Sequence, residues 1–210
     1  MRWTVPNVLT VLRVLAAPAL PLAYVLLPRP LADYVAIGLF LAAAATDWLD
    51  GYLARRLDQH SAFGIMLDPI ADKAMVIVAA ATVIGLAGLN WPILLPLLVI
   101  LMREVLISGL REFLGDIKLP VTRLAKWKTA VQMAGILGLL LTNLLQWQYE
   151  RLYYAGATPD DPVYRQALEL YVSAFWAALA LIWVAGLLTA VTGIDYWRKA
   201  RPHLLAREGP

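Results

Sequence analysis

The chain has 210 residues, of which 61% are hydrophobic and only 16% charged. Soluble domains run roughly half apolar and about a quarter charged, so this composition predicts an all-α protein that crosses a lipid bilayer several times. The net charge of +3 is too small to argue for nucleic acid as a partner. The absence of cysteine excludes disulfides, thiolate metal sites and cysteine nucleophiles.

A membrane-spanning helix needs roughly 20 mostly apolar residues, and six segments qualify. The first is Val8–Leu27. Arg2 before it and "AAPA" within it imitate a cleaved leader, but Arg13 interrupts the apolar run and its length suits a retained helix. "PRP" at 28–30 separates it from Leu31–Leu53, and Ala62–Leu89 follows after a short turn. "LNWP" at 89–92 leads into Pro92–Leu114, and "GDIKLP" at 115–120 into Arg123–Leu145. A polar connection, Gln146 to Glu169, precedes the last segment, Leu170–Val191. There is no internal repeat and no low-complexity tract, and a single membrane domain over residues 1–210 is expected. With the N-terminus inside, six spans leave only Arg29, Arg151 and Arg165 of the 18 basic residues on the outer side. Positive charge favours the cytoplasmic side, so both termini are expected there. Trp91, Trp127, Trp147 and Trp197 read as interfacial anchors, and His60 as a solvated loop residue.

The second and third segments carry an unusual acidic motif. Asp47 lies about 24 Å along the second, against a hydrocarbon core about 30 Å thick. It therefore sits near the cytoplasmic boundary, with Asp50 just beyond. Asp68 and Asp72 begin the next helix at similar depth. The i, i+3 spacing of the first pair and the i, i+4 spacing of the second each suit one helical face. Charge inside a membrane is costly and by default functional. Four close carboxylates repel unless cations intervene, and hard oxygen donors suit Mg²⁺ or Mn²⁺. Two such ions would form a clamp for phosphoryl displacement. Gly51 and Gly64 leave room for a ligand near the backbone, and Ala54 keeps one face small. Arg55 can pair with a carboxylate or a phosphate, whereas Arg56 and Asp58 read as boundary anchors. Pro69 is tolerable in a first helical turn, and deeper it would disturb the helix.

The pattern D-x2-D-G-x2-A-R-x8-G-x3-D-x3-D is met at Asp47, Asp50, Gly51, Ala54, Arg55, Gly64, Asp68 and Asp72. In this the chain resembles the CDP-alcohol phosphatidyltransferase family. "VPNVLTVLR" at 5–13, "REVLISGLREF" at 103–113 and "RLAKWKTAVQM" at 123–133 resemble the branch whose acceptor is glycerol 3-phosphate. The likeness covers about Val5 to Met133; beyond it only hydropathy matches. The resemblance implies a six-helix homodimer with a cavity open to the cytoplasm and inner leaflet. It implies transfer of a phosphatidyl group from CDP-diacylglycerol to glycerol 3-phosphate, with release of CMP. It also implies that Asp47, Asp50, Asp68 and Asp72 hold two Mg²⁺ or Mn²⁺ ions. The nucleotide site would comprise Asn7, Asp47, Asp50, Gly51, Ala54, Arg55, Gly64 and Asp68, with Asp72 as base. Asn7, Thr10 and Arg13 are expected to form a lead-in at the membrane surface, Arg13 alternatively serving as a topology anchor.

An acceptor that is a dianion requires a basic pocket. Arg103 lies about 17 Å from the outer end of its helix, too deep to reach the inner surface easily. Arg111 is displaced from it by about 80° around the helix, and Glu104 can neutralise one of the two. The resemblance assigns Lys73, Arg103, Arg111, Lys126 and Lys128 to the acceptor phosphate. Lys126 and Lys128, two residues apart, cannot both face one way within a regular helix, and inside-boundary anchoring is their alternative. Other acceptors remain open within the family: phosphatidylglycerol, inositol phosphate or serine. Outside it stand an aspartate-rich prenyltransferase and a transporter using intramembrane acids, though no matched halves favour a transporter.

Overall fold

The computed structural model describes the backbone of residues 5–57, 62–115 and 123–207, and the side chains there except those of residues 5, 6, 48–57, 62, 65, 72, 123, 125, 126, 206 and 207. His60 and Asp58 lie outside these residues. The described residues form six helices and no strand: α1 (Val5–Leu26), α2 (Leu31–Leu57), α3 (Ala62–Ala87), α4 (Trp91–Leu114), α5 (Arg123–Tyr154) and α6 (Pro162–Arg207). Five helices, all but α2, contain stretches long and apolar enough to cross a membrane. α2 is 27 residues long and carries the first half of the acidic motif. Exposed apolar side chains such as Leu15, Val25, Val105, Leu106 and Leu187 line the outside. Such a surface suits lipid rather than water, and the protein is a multi-pass membrane protein.

α1 packs on both α2 and α3, while α6 packs on α4 and most extensively on α5; α5 also meets α2 and α3. One core joins these layers, with Leu20, Phe40, Met75, Leu97, Ile136 and Ile182 among its buried members. Small residues let the backbones approach, a common device where apolar surroundings give no hydrophobic drive. A Cβ added to Gly138 of α5 would stand 2.9 Å from Ala178 Cβ of α6. Gly186 of α6 lies equally close to α4, where an added Cβ would meet Pro96 Cβ at 3.1 Å. The indole of Trp183 donates to the Pro92 carbonyl at 2.9 Å, which satisfies its polar atom inside the bundle.

Two sequence expectations are corrected here. The connection expected over Gln146–Glu169 is mostly helical: α5 continues to Tyr154 and α6 begins at Pro162. The polar residues lower hydropathy without breaking the helices, and tyrosines hold the ends together. Tyr149 packs on Tyr171 at 5.0 Å between ring centroids, and on Tyr164 at 6.4 Å. Gly156, at φ 91, takes the left-handed turn between the helices that a glycine adopts without steric cost. Pro69 is not in a first turn: α3 starts at Ala62 and holds Pro69 inside it. There it removes one backbone donor directly after Asp68.

At the end of the bundle remote from the acidic motif, Asp33 is fully buried. Arg29 donates to it through Nε at 2.9 Å and Nη2 at 3.2 Å. The same guanidinium reaches the Asn143 carbonyl of α5, so one charged pair ties the α1–α2 turn to α5. Trp91, Trp127 and Trp197 are exposed. Trp147 is covered by Arg151, whose guanidinium lies 5.6 Å from its ring centroid.

Candidate active site

The site begins on α1. Its buried face runs Asn7, Thr10, Arg13, Ala17, Leu20, Ala23, a 3-3-4 spacing that keeps one stripe against neighbouring helices. Polar residues occupy the first three places. They are buried between helices and are not the surface lead-in that their position near the N-terminus suggests. The Arg13 guanidinium donates through Nη1 to Asp47 Oδ1 of α2 at 2.9 Å. One turn earlier, the Thr10 hydroxyl donates to Asp68 Oδ1 of α3 at 2.8 Å. A single helix therefore holds one carboxylate from each half of the acidic motif.

The tethers come from the buried side. The Arg13 side chain is 2% exposed and that of Asp47 56%, so the carboxylate faces open space while its orientation is set from behind. Each bond engages Oδ1, and a carboxylate has a second oxygen able to accept or coordinate. The α2 backbone places Asp50 one turn beyond Asp47, and α3 places Asp72 one turn beyond Asp68. The side chains of Asp50, Ala54, Arg55 and Asp72, and the whole of Gly51's surroundings, lie outside the described residues. Gly64 is buried in α3. Among the described residues no three His, Asp or Glu side chains gather, since only Asp47 and Asp68 of the four aspartates fall in that set. The chemistry of the motif fits hard divalent cations, because its four acidic side chains are carboxylates and the chain has no thiol.

Beside the acids stands a basic cluster drawn from three helices. Lys73 follows Asp72 on α3, and its ammonium donates to the Ser108 hydroxyl of α4. Ser108 in turn donates to the backbone carbonyl of Glu104. The Glu104 carboxylate accepts from Arg103 Nη1 at 3.1 Å and from Lys128 Nζ of α5 at 2.8 Å, both at Oε1. These three side chains are only 14%, 12% and 6% exposed, for Arg103, Glu104 and Lys128 respectively. Arg103 therefore faces the bundle interior, the usual place for a charge deep in a membrane span. Gly193 of α6 makes room for its stem: an added Cβ there would sit 3.3 Å from Arg103 Cγ. Glu104 thus neutralises an arginine, as its sequence position allows, and also a lysine from another helix.

The cluster does not gather every predicted member. Arg111, rotated away from Arg103, lies over the Tyr196 ring of α6 at 5.4 Å. The side chain of Lys126 lies outside the described residues, whereas Lys128 points inward. One turn beyond Lys128, Gln132 is 2% exposed and its Oε1 finds no hydrogen-bond partner among the described residues. Sequence reasoning did not single out Ser108, Gln132 or Gly193, nor the tethering part of Thr10 and Arg13. The signal for the α1 pair was present: polar residues at i, i+3 spacing in an otherwise apolar helix.

Between α4 and α6, on the other side of Arg103, runs an apolar groove of about 650 Å³ lined by Leu98, Met102, Leu106, Ile194 and Trp197 among others. Lipid-compatible surface and a charged cluster thus meet along one helix.

Known proteins share this arrangement of sequence. Residues 3–191 match the family model described as CDP-alcohol phosphatidyltransferase. A protein of Cereibacter sphaeroides named CDP-diacylglycerol–glycerol-3-phosphate 3-phosphatidyltransferase is 49% identical, over 97% of this chain and 98% of its own length. Proteins with the same name from Pseudomonas fluorescens and Haemophilus influenzae are 39% and 33% identical. The first covers 95% of this chain and 91% of its own length, the second 98% and 97%. With that family matched over most of its length, and an acidic motif held between α2 and α3, the chain belongs to the CDP-alcohol phosphatidyltransferase family.

Proposed function

We propose that this chain transfers a phosphatidyl group from CDP-diacylglycerol to glycerol 3-phosphate, forming phosphatidylglycerophosphate and releasing CMP. The observation that carries this reading is the juxtaposition built by α1, α3 and α4. Carboxylates on α2 and α3 are oriented by Arg13 and Thr10, and Lys73, next to Asp72, joins them to the basic cluster through Ser108. The names and high identity of the relatives support the same reaction.

In this reading Asp47, Asp50, Asp68 and Asp72 hold two Mg²⁺ or Mn²⁺ ions. Such ions neutralise the charge that gathers on the pyrophosphate oxygens. Asn7, Gly51, Ala54, Arg55 and Gly64 complete the nucleotide site with Asp47, Asp50 and Asp68. Lys73, Arg103, Arg111, Lys126 and Lys128 bind the acceptor phosphate; Lys73, Arg103 and Lys128 meet around Glu104 and Ser108, while Arg111 lies over Tyr196. The acceptor hydroxyl attacks the phosphorus bearing the diacylglycerol, its proton passes to Asp72, and the bond to the CMP oxygen breaks. Holding a dianion beside the acids aligns its hydroxyl, which is where positioning lowers the barrier most. The protein is placed in the cell membrane with the site facing the cytoplasm, as one domain over residues 1–210, and it acts as a homodimer.

The test is direct. Purified protein receives CDP-diacylglycerol and either Mg²⁺ or Mn²⁺, then labelled glycerol 3-phosphate, inositol phosphate, serine or phosphatidylglycerol in separate reactions. Label should enter lipid, with CMP released, only from glycerol 3-phosphate. Label from another acceptor moves the chain to another branch of the family. Asp72→Asn should bind the donor normally and lose about 10²–10⁴-fold in kcat, the range for a general base; unchanged turnover would remove Asp72 from that role.

A further inference from the structure

We propose that Glu104, with Ser108, is a positioning residue for the acceptor phosphate: together they draw cations from three helices to one place. The inference rests on the acceptor reading above and adds to it the residues that shape the pocket without themselves binding the anion.

The geometry makes the case in three steps. Arg103 and Lys128 both donate to the same oxygen, Glu104 Oε1, at 3.1 Å and 2.8 Å. Two cations this close and this poorly solvated repel strongly, so the carboxylate between them is what lets them converge. The Glu104 carbonyl also accepts the Ser108 hydroxyl, whose oxygen receives the Lys73 ammonium. One helical turn of α4 thereby gathers a lysine from α3 and another from α5.

Donor capacity remains after these bonds. An arginine carries five N–H groups and a lysine three. Arg103 Nε is buried and has no hydrogen-bond partner among the described residues. Within the cluster three cations meet one carboxylate, an excess that a phosphomonoester dianion would balance and a neutral alcohol would not. A carboxylate that only neutralised charge could sit beside any one cation. Bridging two at a single oxygen fixes their relative placement, which charge balance alone does not require.

The experiment uses the full-length protein with CDP-diacylglycerol in mixed micelles and varied glycerol 3-phosphate. A wild-type enzyme that cannot use glycerol 3-phosphate would refute the acceptor reading, and this inference with it. With wild-type use established, Glu104→Gln should raise the KM for glycerol 3-phosphate about tenfold or more, the scale of one charge-assisted hydrogen bond. The KM for CDP-diacylglycerol should stay within about twofold, and Glu104→Asp should recover part of the loss. In a double-mutant cycle, Glu104→Gln and Lys128→Met should combine to less than the product of their single effects. Where Glu104→Gln does not yield folded protein, the milder cycle of Ser108→Ala with Lys73→Met decides, and the same sub-multiplicative result is expected. An equal rise in both KM values, or fully multiplicative effects in either cycle, would overturn the proposal while leaving the acceptor reading intact.

Discussion

At Asp47 and Asp68 exposed carboxylates are held by donors that are themselves buried. On the proposed two-ion reading, Arg13 and Thr10 act through the acids they hold, as hydrogen-bond partners behind metal ligands commonly do. Thr10→Val or Arg13→Gln should therefore raise the half-saturating Mn²⁺ concentration about 10–100-fold, the usual cost of losing such a partner. Direct Mn²⁺ binding followed by electron paramagnetic resonance checks this apart from turnover; unchanged binding in both variants would leave the two bonds with a purely structural part. The acids themselves were legible in the sequence because carboxylates at membrane depth are costly and their spacing is regular. Their tethers were not, because a threonine in an apolar helix satisfies its hydroxyl on the preceding turn as readily as on a distant partner. Only the folded contact between α1 and α3 distinguishes the two. Glu104 lay between these cases: its charge was visible next to Arg103, but its second partner, Lys128, is 24 positions away.

At the level of elements, hydropathy located all six helices, the first four to within a few residues, and cut the last two short. α6 has 46 residues, which spans about 69 Å and exceeds any bilayer core. Its first turns and the last turns of α5 continue past the apolar stretch, held by the tyrosine contacts that a hydropathy window does not register. The α5–α6 pair depends on small residues at Gly135 and Gly138. Gly138→Leu places a branched side chain where even a Cβ stands 2.9 Å from Ala178 Cβ. The helices must then part, at a cost of about 1–3 kcal/mol or more. A thermal unfolding assay in detergent should show a clearly lowered midpoint for Gly138→Leu and a smaller drop for Gly138→Ala. An unshifted midpoint for the leucine variant would mean that the seam yields freely.

For the molecule as a whole, two sets of charged contacts among the described residues lie apart along the bundle, with one apolar core between the helices. The acidic and basic groups form one set, reaching mid-helix in α4 at Arg103 and Glu104; Arg29, Asp33 and the Asn143 carbonyl form the other. The pair of Arg29 and Asp33 is a matter of stability. Asp33→Asn leaves the Arg29 charge without its buried counter-charge, a change that typically costs about 3–5 kcal/mol. The variant should unfold at lower temperature yet keep its KM for both substrates at temperatures where it remains folded. A changed KM would mean that this end communicates with the site. The sequence placed Arg29 outside by charge bias alone, and the i, i+4 relation to Asp33 was available in it; that Asp33 is fully buried while Arg29 also reaches α5 is visible only in the fold.

α1 touches both halves of the acidic motif, so it behaves as a lever with two loads on one arm. Helices accommodate a thicker or thinner bilayer by changing tilt. Because Arg13 holds Asp47 and Thr10 holds Asp68, a tilt of α1 would move the two carboxylates together. Membrane thickness is then expected to affect turnover. Reconstituted in bilayers of graded acyl length with one fixed donor, the enzyme should show a turnover optimum, and Thr10→Val should flatten it. Identical rates across all thicknesses would show that the lever does not move.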